Sequence, residues 1–91
     1  MALVLDVDGS RRPVEPASPP SFTLEELQGL VNGYIELVSL GDGSLLVINE
    51  EGKLQGFAYN EQATARARGY LFAGDYIAGP AVVVSEQELG E

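Results

Sequence analysis

Turn-forming residues divide this chain into short segments, which limits it to short strands and short helices. Asp8-Gly9 and Gly41-Asp42-Gly43 are typical hairpin turns. The segments between turns are rich in Val, Ile and Leu, as strands are. We predict strands over residues 2–7, 11–15, 34–40, 45–49 and 81–84, with shorter extended pieces at 54–58 and 76–78.

The first helix has a complete local signature. Thr23 and Glu26 have the spacing of a capping box, in which each side chain accepts a hydrogen bond from the other residue's backbone N–H. Apolar residues recur at helical spacing behind this box, and Gly33 can take the left-handed conformation that ends a helix. The pattern predicts a helix over residues 24–32. Its apolar stripe consists of Leu24, Leu27, Leu30 and Val31.

A second helix is predicted over residues 61–71, with Asn60 as its N-cap. Gly69 weakens this helix by about 1 kcal/mol relative to alanine.

The order of these elements is β-β-α-β-β-α-β, which predicts an α+β fold. We expect a two-layer sandwich of two helices on a mostly antiparallel sheet of about five strands. Residues 34–40 carry apolar side chains on both faces and are predicted to form a central strand. Residues 1–84 are predicted to form one domain, and residues 85–91 an acidic C-terminal tail that frays.

The chain has no His and no Cys. This excludes disulfides, thiolate zinc sites and nucleophile pairs that depend on His. The segment Asp6-Val7-Asp8-Gly9-Ser10 resembles the nucleophile motif of haloacid-dehalogenase-type phosphatases. That chemistry also needs a lysine, further acids for Mg²⁺ and a doubly wound sheet, which do not fit in this chain, so we interpret the segment as a strand that ends in an Asp-Gly turn. We therefore predict that the protein is not an enzyme, and we predict no catalytic residues, no metal site and no cofactor.

The formal net charge is −9, from fourteen acidic and five basic residues. Binding to a phosphate backbone needs a basic face, so direct binding to nucleic acid is not expected. The acidity has two readings, which are simple solubility and mimicry of nucleic-acid charge towards a basic partner. We find no signal peptide and no apolar run of membrane-spanning length, and therefore predict a cytoplasmic location without membrane contact.

One set of residues offers an anion site. Lys53, Arg66 and Arg68 are most of the positive charge outside the first hairpin, and Tyr59, Asn60 and Tyr70 are near them in sequence. Such residues are able to clamp a small phosphorylated ligand between guanidinium groups and aromatic rings. The alternative is that these cations decorate a helix face and pair with Glu61 and neighbouring acids.

The order of several short pieces resembles the family called Domain of Unknown Function 3846. The pieces are residues 27–36, 47–54, Asn60, Ala63-Thr64-Ala65 and residues 77–83. The most specific parts are Gly33-Tyr34-Ile35-Glu36 and Asn49-Glu50-Glu51-Gly52-Lys53. The resemblance covers residues 3–84 and implies an accessory protein of a phage, a plasmid or a bacterial host. It carries no catalytic role, but it draws attention to Glu36, Asn49 and Asn60. The proline-rich stretch 13–20 departs from the family pattern.

These observations lead to two functional hypotheses. The first is a non-enzymatic protein-interaction module of a mobile element or its host, with another protein as its partner. The second is a protein that binds or sequesters a small nucleotide-type ligand through the six residues named above. Because the core is thin and several strands are apolar on both faces, a homodimer is also possible.

Overall fold

A computed structural model describes residues 2–90 and contains one five-stranded sheet with three helices. The sheet order is β2-β1-β5-β4-β3, and every neighbouring pair is antiparallel. The predicted α+β class is confirmed. The elements are β1 Ala2–Leu5, β2 Arg11–Val14, α1 Leu24–Val31, β3 Ile35–Ser39, β4 Ser44–Asn49, α2 Glu61–Arg66, β5 Ala81–Ser85 and α3 Glu86–Leu89.

Both faces of the sheet are covered. Side chains alternate between the faces along a strand, and in the middle of β4 and β5 the consecutive side chains of residues 45–48 and 81–84 are all apolar. One face packs with Leu27 and Val31 of α1 and with Leu89 of α3. The other face packs with Ala63 and Ala67 at α2. The helices therefore lie on opposite sides of the sheet, which gives three layers where the sequence predicted two.

Helix α1 begins as its sequence predicted. Thr23 accepts a hydrogen bond from the N–H of Glu26 at 3.1 Å, and Glu26 accepts one from the N–H of Thr23 at 2.7 Å. The second carboxylate oxygen of Glu26 accepts from the N–H of Ala17 at 2.8 Å, which ties the proline-rich segment to the helix. These backbone N–H groups lower the pKa of Glu26.

Strand β3 is an edge strand, so the prediction of a central strand was wrong. The C-terminal strand β5 enters the sheet between β1 and β4, and this leaves β3 with β4 as its neighbour. Its partial exposure fits this position, since Glu36, Leu37 and Ser39 are exposed. The short extended piece predicted at 54–58 also differs, because residues 51–56 form turns.

Helix α2 ends earlier than predicted. The helix stops at Arg66, and the chain then turns through residues 67–69, with Gly69 at a φ of +93°. This conformation suits glycine and no helix interior. Residues 68–70 are thereby exposed on the surface, while Ala67 stays buried against the sheet.

The C-terminal residues do not form a frayed tail as far as the described chain extends. Helix α3 starts with a capping box between Ser85 and Glu88. Glu88 is buried, and its backbone carbonyl accepts a hydrogen bond from the N–H of Phe22 at 2.8 Å. The acidic segment is therefore docked against the start of α1.

Candidate binding surface

Three adjoining clefts surround the surface segment 70–76. All three contain Leu71 and Asp75 in their walls. The Lys53 cleft, about 210 Å³, lies between this segment and the turn after β4. The edge groove, about 480 Å³, runs beside β3, and the Arg68 cleft, about 310 Å³, lies beside the end of α2. We call this segment with its three clefts the 70–76 surface.

A close backbone contact places the turn of residues 51–56, which follows β4, at one side of the Lys53 cleft. A Cβ at Gly52 would collide with the carbonyl oxygen of Ala78, so the turn reaches its position only because residue 52 is glycine. Nearby, Tyr59 and Ala78 form an isolated antiparallel bridge. These contacts hold Lys53 and Tyr59 beside Tyr76.

Lys53 is already paired. Its ammonium group forms a salt bridge with Asp75 and lies 4.8 Å from the centre of the Tyr76 ring. Tyr59 packs edge-on against Tyr76 with a centroid distance of 5.8 Å. The hydrogen bond to Asp75 raises the pKa of Lys53, and the same bond lowers the pKa of Asp75. The positive charge of Lys53 is therefore balanced by Asp75, and its ammonium group lies against an aromatic ring.

The other predicted ligand residues do not join Lys53 in one site. Arg68 is exposed in the Arg68 cleft, while Arg66 lies near the β3–β4 turn. There Arg66 adds to the hydrogen bonds from Ser44 that lower the pKa of Asp42. Tyr70 packs against Gly41 and lines the edge groove. Arg66 and Tyr70 therefore both lie at the β3–β4 turn, beside Asp42 and Gly41, whereas Arg68 lies in a separate cleft.

Asn60 lies inside the protein and is fully buried. Its side-chain NH₂ donates to the carbonyls of Leu5 and Gly79, each at 2.8 Å, and its side-chain oxygen accepts from the N–H of Ala63 at 3.0 Å. The predicted N-cap role is confirmed, and the residue offers nothing to a ligand on the surface.

Two of the three clefts, the Lys53 cleft and the edge groove, are acidic. Glu36, Glu50, Glu51 and Asp75 line the Lys53 cleft together with the single cation Lys53. Glu36 and Asp75 also line the edge groove, whose lining contains no Lys or Arg. The surface potential there favours a cationic group over a phosphate.

Large apolar side chains are exposed at the same place. Phe72 is 88 % exposed and Leu54 is 87 % exposed, and Tyr70 and Tyr76 are about half exposed. The sequence analysis predicts a helix over residues 61–71 and gives no role to Phe72, which follows it. The signal was present in Gly69 and Gly74, which flank Phe72 and favour a loop.

The family model for Domain of unknown function (DUF3846) matches residues 1–91, the whole chain. The protein belongs to the DUF3846 family. Searches of curated proteins and of solved structures returned no match.

Two of the three residues to which the family resemblance drew attention have structural roles in this DUF3846 protein. Asn49 donates to the carbonyls of Val31 and Asn32 at 3.0 and 3.2 Å and thereby caps the end of α1. Asn60 joins β1 to the start of α2. Glu36 differs from both, because it is exposed on β3 and lines two of the clefts.

Two further searches of residues 2–90 gave negative results. No group of three or more His, Cys, Asp or Glu side chains within that range is arranged to hold a metal ion. No helix in the same range has the length and apolarity needed to cross a bilayer.

Proposed function

We propose that this DUF3846 protein is a non-enzymatic protein-interaction module and that it binds its partner through the 70–76 surface. The observation that carries the proposal is the near-complete exposure of Phe72 and Leu54 beside adjoining clefts. Burying a phenylalanine or leucine contributes about 1.5–3 kcal/mol, and this chain leaves that contribution unused in the folded monomer. Exposed apolar side chains with polar residues around them are typical of protein interaction sites.

The charge of the surface supports a basic partner. Four carboxylates line the Lys53 cleft, and the whole chain carries a formal net charge of −9. Complementary charges speed association and exclude partners of the same sign. The narrower form of the proposal is therefore that this acidic surface mimics the charge of nucleic acid towards a basic partner.

A capture experiment with matched variants tests the proposal. The wild-type protein, a Phe72→Ser/Leu54→Ser variant and a Leu24→Ser variant are each immobilised and exposed to host lysate. Leu24 is also exposed, but it lies on α1, away from the 70–76 surface. We expect the same protein to be enriched by the wild type and by Leu24→Ser, and to be lost with the double variant. Failure to enrich any protein, or equal capture by all three, contradicts the proposal.

The small-ligand hypothesis has weaker support. Of its six residues, Lys53 and Tyr59 are close together, and the carboxylates around them disfavour a phosphorylated ligand. A thermal-shift screen with nucleotides separates the two hypotheses. A ligand at about 100 times its dissociation constant stabilises the folded state by about 2.7 kcal/mol.

The biological setting stays a prediction. We place the module in a mobile element or its host, and in the cytoplasm, as the sequence led us to expect. A homodimer also stays a prediction, and light scattering at high protein concentration tests it.

A further inference from the structure

The outer edge of β3 presents unpaired backbone groups. In an antiparallel pair, residues alternate between those that bond to the neighbouring strand and those that point away from it. Tyr34 accepts from the N–H of Glu50 at 2.9 Å, and Leu40 donates to Ser44 at 3.1 Å, so the even-numbered residues of β3 bond to β4. The N–H and C=O groups of Ile35, Leu37 and Ser39 therefore point to the open edge.

The opposite edge of the sheet is protected. By the same alternation, Asp6 pairs with Ser10 and Val4 with Arg12, which leaves Pro13 pointing outward from β2. Proline lacks an N–H, and exposed Arg11 and Arg12 precede it. Proline and charged residues are the means by which proteins prevent pairing at an edge strand. Strand β3 has no proline, and its one charged residue is Glu36.

The open edge has a groove beside it. Four consecutive residues, 36–39, line the edge groove, and Tyr70, Leu71 and Phe72 line its other wall. Leu37 is 45 % exposed on the opposite face of the strand. An added strand at this edge would place alternate side chains in the groove and beside Leu37.

The charges around the edge groove indicate which kind of segment binds at the edge of β3. Glu36 and Asp75 face the groove, whose lining contains no basic residue, and its aromatic rings accept cations on their faces. The nearby cations are Lys53, which is paired with Asp75, Arg66 beside Asp42 at the β3–β4 turn, and Arg68 in the neighbouring cleft. A second copy of this chain would bring a further net charge of −9 to the same place. A basic extended segment fits the edge and a second acidic copy does not.

We propose that the free edge of β3 binds an extended basic segment of the partner protein as a sixth, antiparallel strand. This inference rests on the proposed function and specifies its binding mode. In such a strand, apolar residues lie beside Leu37, and basic residues alternate with them and face Glu36 and Asp75.

Synthetic peptides that alternate arginine and valine test the inference. In an antiparallel pair, the valines opposite Leu37 direct their N–H groups towards β3, and the arginines direct theirs away. Methylation of the valine nitrogens should weaken binding roughly tenfold or more, because several hydrogen bonds are lost together. Methylation of the arginine nitrogens should have little effect. A peptide with glutamate in place of arginine should not bind.

Two protein variants and a control complete the experiment. Glu36→Lys should weaken binding of the arginine–valine peptide about three- to tenfold. Glu15→Lys makes the same charge change in an exposed residue after β2, at the other edge of the sheet, and should have a smaller effect. Leu37→Pro removes an outward-pointing N–H without removing a bond to β4, and should also weaken binding. Circular dichroism confirms that each variant is folded.

The results separate this inference from the proposed function. No binding of the arginine–valine peptide, or equal binding of the two methylated peptides, overturns strand addition at β3. A dimer with its β3 amides protected in the absence of peptide overturns it as well, because a second copy then occupies the edge. If lysate capture still depends on Phe72 and Leu54 after such a result, the proposed function stands without this binding mode. If capture fails while the peptide binds as expected, the proposed function fails and the edge site stands.

Discussion

The side-chain amide of Asn60 donates a hydrogen bond of 2.8 Å to the carbonyl of Leu5, which lies 55 residues earlier in the chain. The same NH₂ group reaches Gly79, so one buried residue joins the end of β1, the start of α2 and the entry to β5. These three pieces approach the sheet from distant parts of the sequence. Asn60 therefore fixes the position of the chain on either side of the 70–76 surface.

Replacing Asn60 should destabilise the protein strongly. In Asn60→Ala, two carbonyls and the N–H of Ala63 lose their partner in a buried place, and we expect a loss of about 2–4 kcal/mol. In Asn60→Asp the loss should be larger, since a carboxylate would face two carbonyl oxygens. Urea unfolding measures both. Gln87→Ala, at an exposed residue of α3, is the control and should change stability by less than about 0.5 kcal/mol.

Replacing two glycines by alanine should change the stability of the protein in opposite directions. Gly52→Ala places a Cβ against the carbonyl of Ala78, and we expect a loss of about 1–3 kcal/mol from overpacking. Gly29→Ala adds its Cβ in open space within α1, and should stabilise the protein by about 0.5–1 kcal/mol. Thermal unfolding of the two variants gives the comparison. Equal effects at the two positions would contradict the close approach of the turn to Ala78.

The salt bridge between Lys53 and Asp75 should make a small, pH-dependent contribution. Its hydrogen bond lowers the pKa of Asp75, so the stabilisation is present above the ordinary value of 3.8 and is lost as the pH falls through the lower folded value. The same hydrogen bond raises the pKa of Lys53. At high pH the stabilisation is therefore lost only above the ordinary lysine pKa of 10.5. Both side chains are partly exposed, and we expect at most about 1 kcal/mol.

Comparison of the wild type with Asp75→Asn measures this contribution. The stability difference between them should be constant from about pH 5 to pH 9 and should shrink below about pH 4. A difference that grows as the pH falls would show that Asp75 does not carry the favourable charge interaction.

Phe72→Ser should separate stability from binding. Because the side chain is 88 % exposed, the free energy of unfolding should change by less than about 0.5 kcal/mol. Affinity for the partner should fall by roughly tenfold or more, as it does at a buried apolar anchor of an interface. Titration of the purified partner measures the affinity. A large loss of stability without a loss of affinity would make Phe72 a structural residue.

The partner complex should weaken as salt is added. Exposed charges are screened over about 8 Å at physiological ionic strength, and the partner is proposed to contact Glu36 and Asp75. Association rates measured over a range of salt concentrations should fall steadily. An association rate that does not change with salt concentration would exclude charge mimicry. The apolar side chains would then be the source of affinity.

Local signals in the sequence were sufficient for some elements and not for others. The capping box of Thr23 and Glu26 predicted the start of α1, because all its atoms belong to adjacent residues. Ser85 and Glu88 have the same capping-box spacing, which is a signal for the start of α3. The acidic composition of the segment favoured a frayed tail instead. The edge position of β3 was not predictable, because it depends on where a strand near the other end of the chain enters the sheet.

The candidate site was predictable only in part. Lys53 and Tyr59 lie together because they belong to neighbouring turns that dock on Ala78. Arg66 and Arg68 are grouped with them in the sequence analysis because these three cations are most of the positive charge outside the first hairpin. Gly69 and Gly74 are the sequence signal for the loop that exposes Phe72, whereas the free edge of β3 becomes visible only when the strand order is known.

Hydrogen exchange of the Leu37 amide, with and without the bound partner, tests the central claim most directly. The claim is that this acidic surface binds another protein at the edge of β3. We expect the amides of Ile35, Leu37 and Ser39, which point away from β4, to exchange rapidly in the free protein and slowly in the complex. Unchanged exchange at these three amides, with protection elsewhere on the molecule, would contradict the account.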